Sequence, residues 1–497
     1  MQHFDITLDQ HAPFIEGGGI VVGIMFDPRT KRRIQPDEAV RMVNERKSLD
    51  VDGHYAGIAV VDGRIVELVD PYELRRLYRM TLPDGRIRYM TRLPGSSPQG
   101  SLDLRVLANA WMPVMGFTHS SMVEGIERCL PSPDPLHSTS RTSTERRNDL
   151  TPSLDGFPDS VLALSGGFDS RTLLAWSIRE GVDISTTSYG SMDMPDCSTA
   201  SDVASRAGVR HTFFDVATVV DRMSIDDMQS IARHTALASE GTYHFAHAMV
   251  LPSIASILPP GGILIDGGFG GFLRGGLANG LRYQGRAALH SGDARRILPY
   301  LMARSNDVFV DDVARRMTDM VTEDLQRALD EQGPCTKGSE REWIDNFFAS
   351  WYLHGYVASP QGVYDHYLDS TIPFLHRSVV DWVFSRPASF RDHGRWFRSV
   401  ISASAPRTTS VPFVGKRSLY PWFCAGRPLM NALHSKISRT RFVQSDTISD
   451  VVYGKMKEPV DDLLHSSWVG QLGIWDIGNL RSAADKLAVY GYLQLIT

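Results

Sequence analysis

VLALSGGFDSRTLLAW, residues 161–176, joins an unbroken apolar run to a segment of helical spacing through a turn of small residues. Val161 to Leu164 reads as a buried strand. Leu173, Leu174, Trp176 and Ile178, set among Arg171, Arg179 and Glu180, read as a helix. The turn between them is Ser165-Gly166-Gly167-Phe168-Asp169-Ser170. Such a turn aims backbone N–H groups and a helix N-terminus at one point, which is an anion site. Gly166 and Gly167 leave room for a phosphate and permit positive φ. Ser165 and Ser170 add hydroxyl donors. Asp169 repels a phosphate, so its presence implies a divalent cation bridging the two.

Strand–helix alternation continues outward from this stretch. Strands are expected at Val161–Leu164, Ile184–Tyr189, His211–Val216 and Ile263–Asp266. Between the second and third, Cys197 to Gly208 places Ala200, Val203, Ala204 and Ala207 on one helical face. This pattern implies a parallel, doubly wound sheet. Ligands of such sheets sit at the carboxyl ends of the strands. That rule gathers three turns around one pocket: Ser165–Ser170, Ser188–Gly190 and Asp266–Gly271.

From Ala287 the pattern is helical to the end, with helices expected at Ala294–Ala303, Val310–Leu329, Trp343–Val357 and Val379–Phe384. Residues 131–158 are rich in Pro, Ser, Thr and Arg without apolar period, and read as a linker. Residues 1–130 are strand-rich and α+β. They include a strand at Gly19–Phe26, a helix at Asp37–Arg46, and a hairpin of Tyr55–Val61 and Arg64–Val69 joined by Asp62-Gly63. A further strand over Ile87–Arg92 and a helix over Leu102–Met112 complete the unit.

The 497 residues are enough for several domains, and their net charge of −5 carries no nucleic-acid footprint. Cys129, Cys197, Cys335 and Cys424 are far apart and read as free thiols of a reducing compartment. The N-terminus lacks a basic-then-apolar signal region, and no apolar run approaches about 18 residues. A cytoplasmic protein with neither membrane nor nucleic-acid partner is expected. His244 and His247 stand i, i+3 but lack a third ligand, and read as ordinary helix histidines.

The glycine spacing is neither GxxxxGK[ST] nor GxGxxG. SGGFDS after an apolar strand instead resembles the pyrophosphatase-type loop of the asparagine synthetase-like family, whose members cleave ATP between the α and β phosphates. The resemblance covers roughly residues 159–497. It implies an adenine-nucleotide α-hydrolase-like (PP-loop) domain with a helical C-terminal extension. Residues 1–130 would be a degenerate Ntn-amidotransferase-like domain. The glutamine-using members carry a cysteine after the initiator Met; here that position is Gln2, and Cys129 is the first cysteine. The resemblance therefore implies no glutaminase activity.

It also implies ATP and Mg²⁺, held by Leu164, Ser165, Gly166, Gly167, Asp169 and Ser170. The second turn, Ser188-Tyr189-Gly190, resembles the backbone edge that receives adenine. ILIDGGFGGFLRGG, residues 263–276, resembles the second glycine loop, with Gly270 and Gly271 where an acidic pair belongs. Either Asp266, beside Gly267, is then the second metal ligand after Asp169, or metal binding is weakened. Glu240 stands where the family keeps an acid near the substrate, and Glu240 or Tyr243 would remove the amine proton. TIPFLHRSVVDWVFSRP, residues 371–387, resembles a family segment with His376 in place of aspartate, and reads as mainly structural. VYGKMKE, residues 452–458, resembles an RxKE segment in which Lys457 stabilises the reacting adenylate and Lys455 takes the arginine position. Lys416 is the alternative lysine.

The implied reaction is adenylation of a carboxylate and transfer of the acyl group to an amine already present in a small molecule or peptide. This is chemistry similar to the β-lactam synthetases and lasso-peptide cyclases. A precursor peptide or a biosynthetic protein would be the partner. Two alternatives stay open: a non-catalytic ATP- or protein-binding relative, and asparagine synthesis from free ammonia.

Overall fold

A computed structural model describes residues 5–8, 18–28, 30, 32–46, 49, 51–95, 101–131, 160–274, 279–352, 358–415, 418–437 and 447–497. The linker read over 131–158 lies outside them except for Pro131.

The first unit contains β1 (Asp5–Leu8), β2 (Gly19–Phe26), β3 (Arg33–Ile34), α1 (Pro36–Arg46), β4 (Asp52–Val61), β5 (Arg64–Val69), β6 (Leu77–Thr81), β7 (Ile87–Met90), α2 (Leu104–Trp111) and β8 (Glu127–Cys129). Two antiparallel four-stranded sheets result, ordered β3-β2-β4-β5 and β1-β7-β6-β8. The β4–β5 hairpin turns at Asp62 and Gly63, with φ of 52° and 70°. Positive φ at both positions is what a two-residue turn between right-twisted strands requires.

The period of two sorts the side chains of β2 between layers. Val21 and Met25 pack with Ala39 and Val43 of α1. Val22, on the other face, meets Leu77 and Tyr89 of the second sheet. Tyr78 and Met90, on the far side of that sheet, enter the large core shared with the rest of the molecule.

The second unit begins with β9 (Val161–Ala163), α3 (Asp169–Arg179), β10 (Ser185–Gly190), α4 (Pro195–Ala207), β11 (His211–Asp215), α5 (Val216–Asp221), α6 (Ile225–Ser239), α7 (Leu251–Ala255), β12 (Leu264–Ile265) and α8 (Gly270–Leu273). These strands and β13 (Ser370–Thr371) form one parallel sheet, ordered β11-β10-β9-β12-β13. Each of the four anticipated strands ends within one residue of expectation. The strand β13 was not anticipated. It is two residues long, and its pairing with β12 rests on tertiary contacts that no local pattern announces.

The helix expected at Ala294–Ala303 stops at Ile297, because Pro299 cannot continue the hydrogen-bond ladder and a 3₁₀ turn follows. The helix Asp311–Gln332 starts one residue later and ends three later than expected, and Arg377–Phe384 starts two residues earlier. Glu340–Tyr352 begins earlier than expected, and its expected end at Val357 falls outside the described residues. Among the described residues no helix is long and apolar enough to cross a membrane.

The two units are tied by buried charge. Arg75 grips Asp365 through two hydrogen bonds of 2.6 and 2.5 Å and donates to the His54 carbonyl at 2.6 Å. Arg76 pairs with Glu240 at 2.5 Å. His54 accepts from the Ile372 N–H at 3.0 Å, beside β13.

Candidate active site

In the order β11-β10-β9-β12-β13 the connections leave β9 in opposite directions, so the switch point lies between β9 and β12. The loops after these two strands meet there. A Cβ on Gly267 would stand 2.9 Å from the Cα of Ser170, so the second loop approaches the first as only glycine allows. Beside them opens a cleft of about 930 Å³. Leu164, Ser165, Gly167, Asp169 and Ser170 line it, as do Ser188, Tyr189, Asp266 and Gly267.

The first loop is knotted by its serines. The Ser165 N–H donates to Ser170 Oγ at 3.1 Å, and the Gly167 N–H donates to Ser165 Oγ at 3.1 Å. Phe168 caps α3 without a side-chain acceptor, which leaves first-turn N–H groups for a ligand. Gly166 has a different use from the one expected. A Cβ there would stand 2.4 Å from Val414 Cγ2, and its carbonyl accepts from the Val414 N–H at 2.9 Å. Its smallness admits the hairpin of β14 (Phe413–Gly415) and β15 (Ser418–Tyr420) over the loop. Arg171 of α3 ties down the approach to that hairpin, donating to the carbonyls of Thr408, Val411 and Pro412. Gly190 likewise packs on Cys197 and Met194 and does not line the cleft.

The expected metal ligands are otherwise engaged. Both carboxylate oxygens of Asp169 receive the Arg274 guanidinium, at 2.7 Å from Nε and 3.3 Å from Nη2. Asp266 accepts from the Gly268 N–H at 2.9 Å, and burial raises its carboxyl above the ordinary range. Among the described residues no group of three or more His, Cys, Asp or Glu could hold a metal. With both Asp169 oxygens on Arg274, the residues as placed do not fit a protein-held Mg²⁺.

Tyr189 and Tyr364 line the cleft and Tyr243 lies against them, and their phenols are raised well above their usual values, first of all by burial. Tyr243 hydrogen-bonds with Tyr364 and Tyr189 but does not itself line the cleft. A phenol held so firmly protonated is not the ready proton acceptor expected. Glu240 is not one either. It accepts from Ser121 Oγ at 2.8 Å and the Met122 N–H at 2.9 Å, as well as pairing with Arg76, so it joins the units rather than facing substrate.

The two lysines also fall elsewhere. Lys455 Nζ donates to the carbonyls of Val220 and Asp221 at 2.9 and 2.6 Å and closes the C-terminus of α5. Lys457 is exposed on the helix Thr447–Leu464 and is not among the cleft residues. Lys416 lies outside the described residues, although Gly415 before it lines the cleft. His376 is buried with its Nε2 at 3.0 Å from Thr371 Oγ1, in keeping with a structural part. His244 Nε2 meets the Ala484 carbonyl at 3.1 Å. His247 lines the cleft with Nδ1 at 3.5 Å from the Tyr189 hydroxyl.

Arg274, Asp196 and Tyr364 are among the cleft residues that had no place in the sequence reading. Arg274 stood in plain view in the second glycine loop without a partner to give it meaning. Asp196, which accepts from the Gly166 N–H, and Tyr364 carried no local signal.

The family described as Queuosine biosynthesis protein QueC matches residues 159–256. This is a PP-loop ATP-pyrophosphatase-type domain. The match takes in β9, the Ser165 loop, α3 and the next two strands, and ends before the second glycine loop. Comparison with curated proteins gives no match. The PP-loop domain points to an ATP-using enzyme of adenylating type.

Proposed function

We propose that the chain is an ATP-dependent carbon–nitrogen ligase that forms AMP and pyrophosphate. The observation that supports it is the meeting of two glycine loops at the switch point, opening on a cleft near the upper end of the usual range for ligand sites, about 300–1,000 Å³. That size admits a nucleotide together with a second substrate.

In this reading the phosphates lie on the Ser165–Ser170 loop and the N-terminus of α3. A carboxylate oxygen of the substrate attacks the α-phosphorus and pyrophosphate leaves. An amine then attacks the acyl carbon of the adenylate, AMP departs, and the amine gives up a proton. Asp266 and Asp196 are cleft carboxyls whose proton affinity burial raises, a property that suits a proton acceptor. The protein's main contribution is positioning and charge.

The first unit is read as a degenerate amidotransferase scaffold, a reading supported by its helix backed on two stacked antiparallel sheets. It offers no thiol for glutamine. Cys129 is buried in β8, and burial with the nearby Glu67 charge pushes its thiol far up, away from the nucleophilic thiolate. We favour an amine carried by the substrate over free ammonia, and with it closure of a lactam or macrolactam in a small molecule or peptide.

Pyrophosphate release assayed against panels of carboxylates and amines tests the reading, with glutamine supplied in parallel. Carboxylate-dependent AMP and pyrophosphate without glutamate is the expected result. ADP and phosphate as products, or glutamate from glutamine, would overturn it. The Asp169–Arg274 pair favours one rival, an ATP-binding relative without ligase activity, which would bind nucleotide and release no pyrophosphate with any substrate pair.

A further inference from the structure

The pairing of Asp169 with Arg274 occurs in the cleft itself, since both residues line it. Three independent features make this arrangement a built one. Arg274 is held from two sides, by the carboxylate at 2.7 Å and by the face of Phe168, whose ring centre lies 5.6 Å from the guanidinium carbon. The α8 turn that carries it starts at Gly270, where a Cβ would stand 2.3–2.6 Å from the Asp169 carboxyl atoms. No acidic side chain fits at 270 while Asp169 keeps this place. Phe269, which precedes it, adopts φ of 73°, a conformation that bulky residues rarely take and that sets the direction of the turn.

The remaining groups agree. A guanidinium presents five N–H donors in a planar fork. Nε and one N–H of Nη2 face Asp169, which leaves the rest of the fork to a second anion in a cleft that already carries the loop N–H groups. Asp169 would repel a phosphate were it bare. Neutralised by Arg274, it becomes an orienting arm for a phosphate-binding fork.

We propose that the Arg274 guanidinium, tethered by Asp169, replaces a protein-held divalent cation and itself receives the phosphates of the nucleotide. This rests on the reading of the cleft as an ATP site. The chain then contributes no magnesium ligand, and nucleotide binding does not depend on the free metal.

Calorimetric titration with α,β-methylene-ATP, in EDTA and again in Mg²⁺, tests the proposal on the full chain. The wild-type dissociation constants should agree within about threefold, less than the loss of one charge-assisted contact. Arg274→Met should weaken binding in EDTA by about tenfold to a hundredfold, the scale of such a contact. Arg274→Lys, which keeps the charge and packing stem but loses the fork, should fall between, and thermal unfolding of both variants checks that they are folded. Wild-type binding at least tenfold tighter in Mg²⁺, or unchanged binding by Arg274→Met, would overturn the proposal and leave the ATP reading standing. A folded wild-type protein that binds the analogue under neither condition would overturn both. Should Arg274→Met fail to fold, the wild-type comparison and the lysine variant decide.

Discussion

Gly267 and Gly268 are neighbours with unequal duties. A Cβ on Gly267 would press on the Ser170 backbone at 2.9–3.0 Å, whereas on Gly268 the nearest atom is 3.6 Å away. Backbone cannot swing aside as a side-chain tip can. Gly267→Ala should therefore push the two loops apart, weaken nucleotide binding by tenfold or more, and lower stability by about 1–3 kcal/mol. Gly268→Ala should change both little. Titration and denaturant unfolding of the pair check this, and equal effects would mean the loops do not depend on their close approach. At this scale the position of the first loop between strand and helix was legible, because its residues are contiguous, whereas the partners of Gly166 and Asp169, Val414 and Arg274, were not. The sequence reading set Glu240, Lys455 and Lys457 in the site, whereas in the fold they meet Arg76, the α5 carbonyls and solvent. Those partners, where they exist, lie more than a hundred residues away, beyond any local pattern.

Secondary elements were legible where hydrophobic period and punctuation agree. The hairpin at Asp62-Gly63 and α4, ended by Gly208 at φ of 73°, follow from turn and cap chemistry alone. Two-residue β13 and the β14–β15 hairpin were not legible. The first is defined by its neighbour in the sheet, and the second by the space that Gly166 leaves for Val414. Lys455 gives a prediction at this level. Its ammonium satisfies two terminal carbonyls of α5 and complements the negative end of the helix. Lys455→Met should cost about 1 kcal/mol of stability while leaving nucleotide affinity unchanged. A large loss of affinity with stability intact would return this lysine to the site.

The whole molecule behaves as one cooperative body in this account, because the core and the buried charges cross between its units. Arg75 and Asp365 are only 2% and 3% exposed, and Asp365 follows directly on Tyr364 of the cleft wall. Arg75→Met strands the carboxylate and should cost about 3–5 kcal/mol, much of it recovered by adding Asp365→Leu. Two separate thermal transitions in the wild type would contradict this coupling. His54 supplies one share of the pH dependence, opposed between about pH 4 and 6 by Asp70 and Asp365, whose carboxyls burial raises to about 6. Burial, then the charges of His376 and Arg75, lowers the His54 pKa well below the usual value, so the folded state keeps it neutral. The unfolded chain binds that proton near pH 6.5, so stability is full above this value. Below it, the His54 contribution falls by about 1.4 kcal/mol per pH unit, until the folded-state value is reached. Denaturation curves at pH 5, 6, 7 and 8 should show a shallower slope for His54→Gln than for the wild type, and equal slopes would exclude His54 as the source. The most direct test of the central claim is a crystal structure of the full chain with α,β-methylene-ATP. The account predicts the triphosphate lying on the Ser165–Ser170 loop against Arg274, with the α-phosphate turned to the open cleft. Nucleotide bound elsewhere, or with its base where the phosphates should lie, would contradict it.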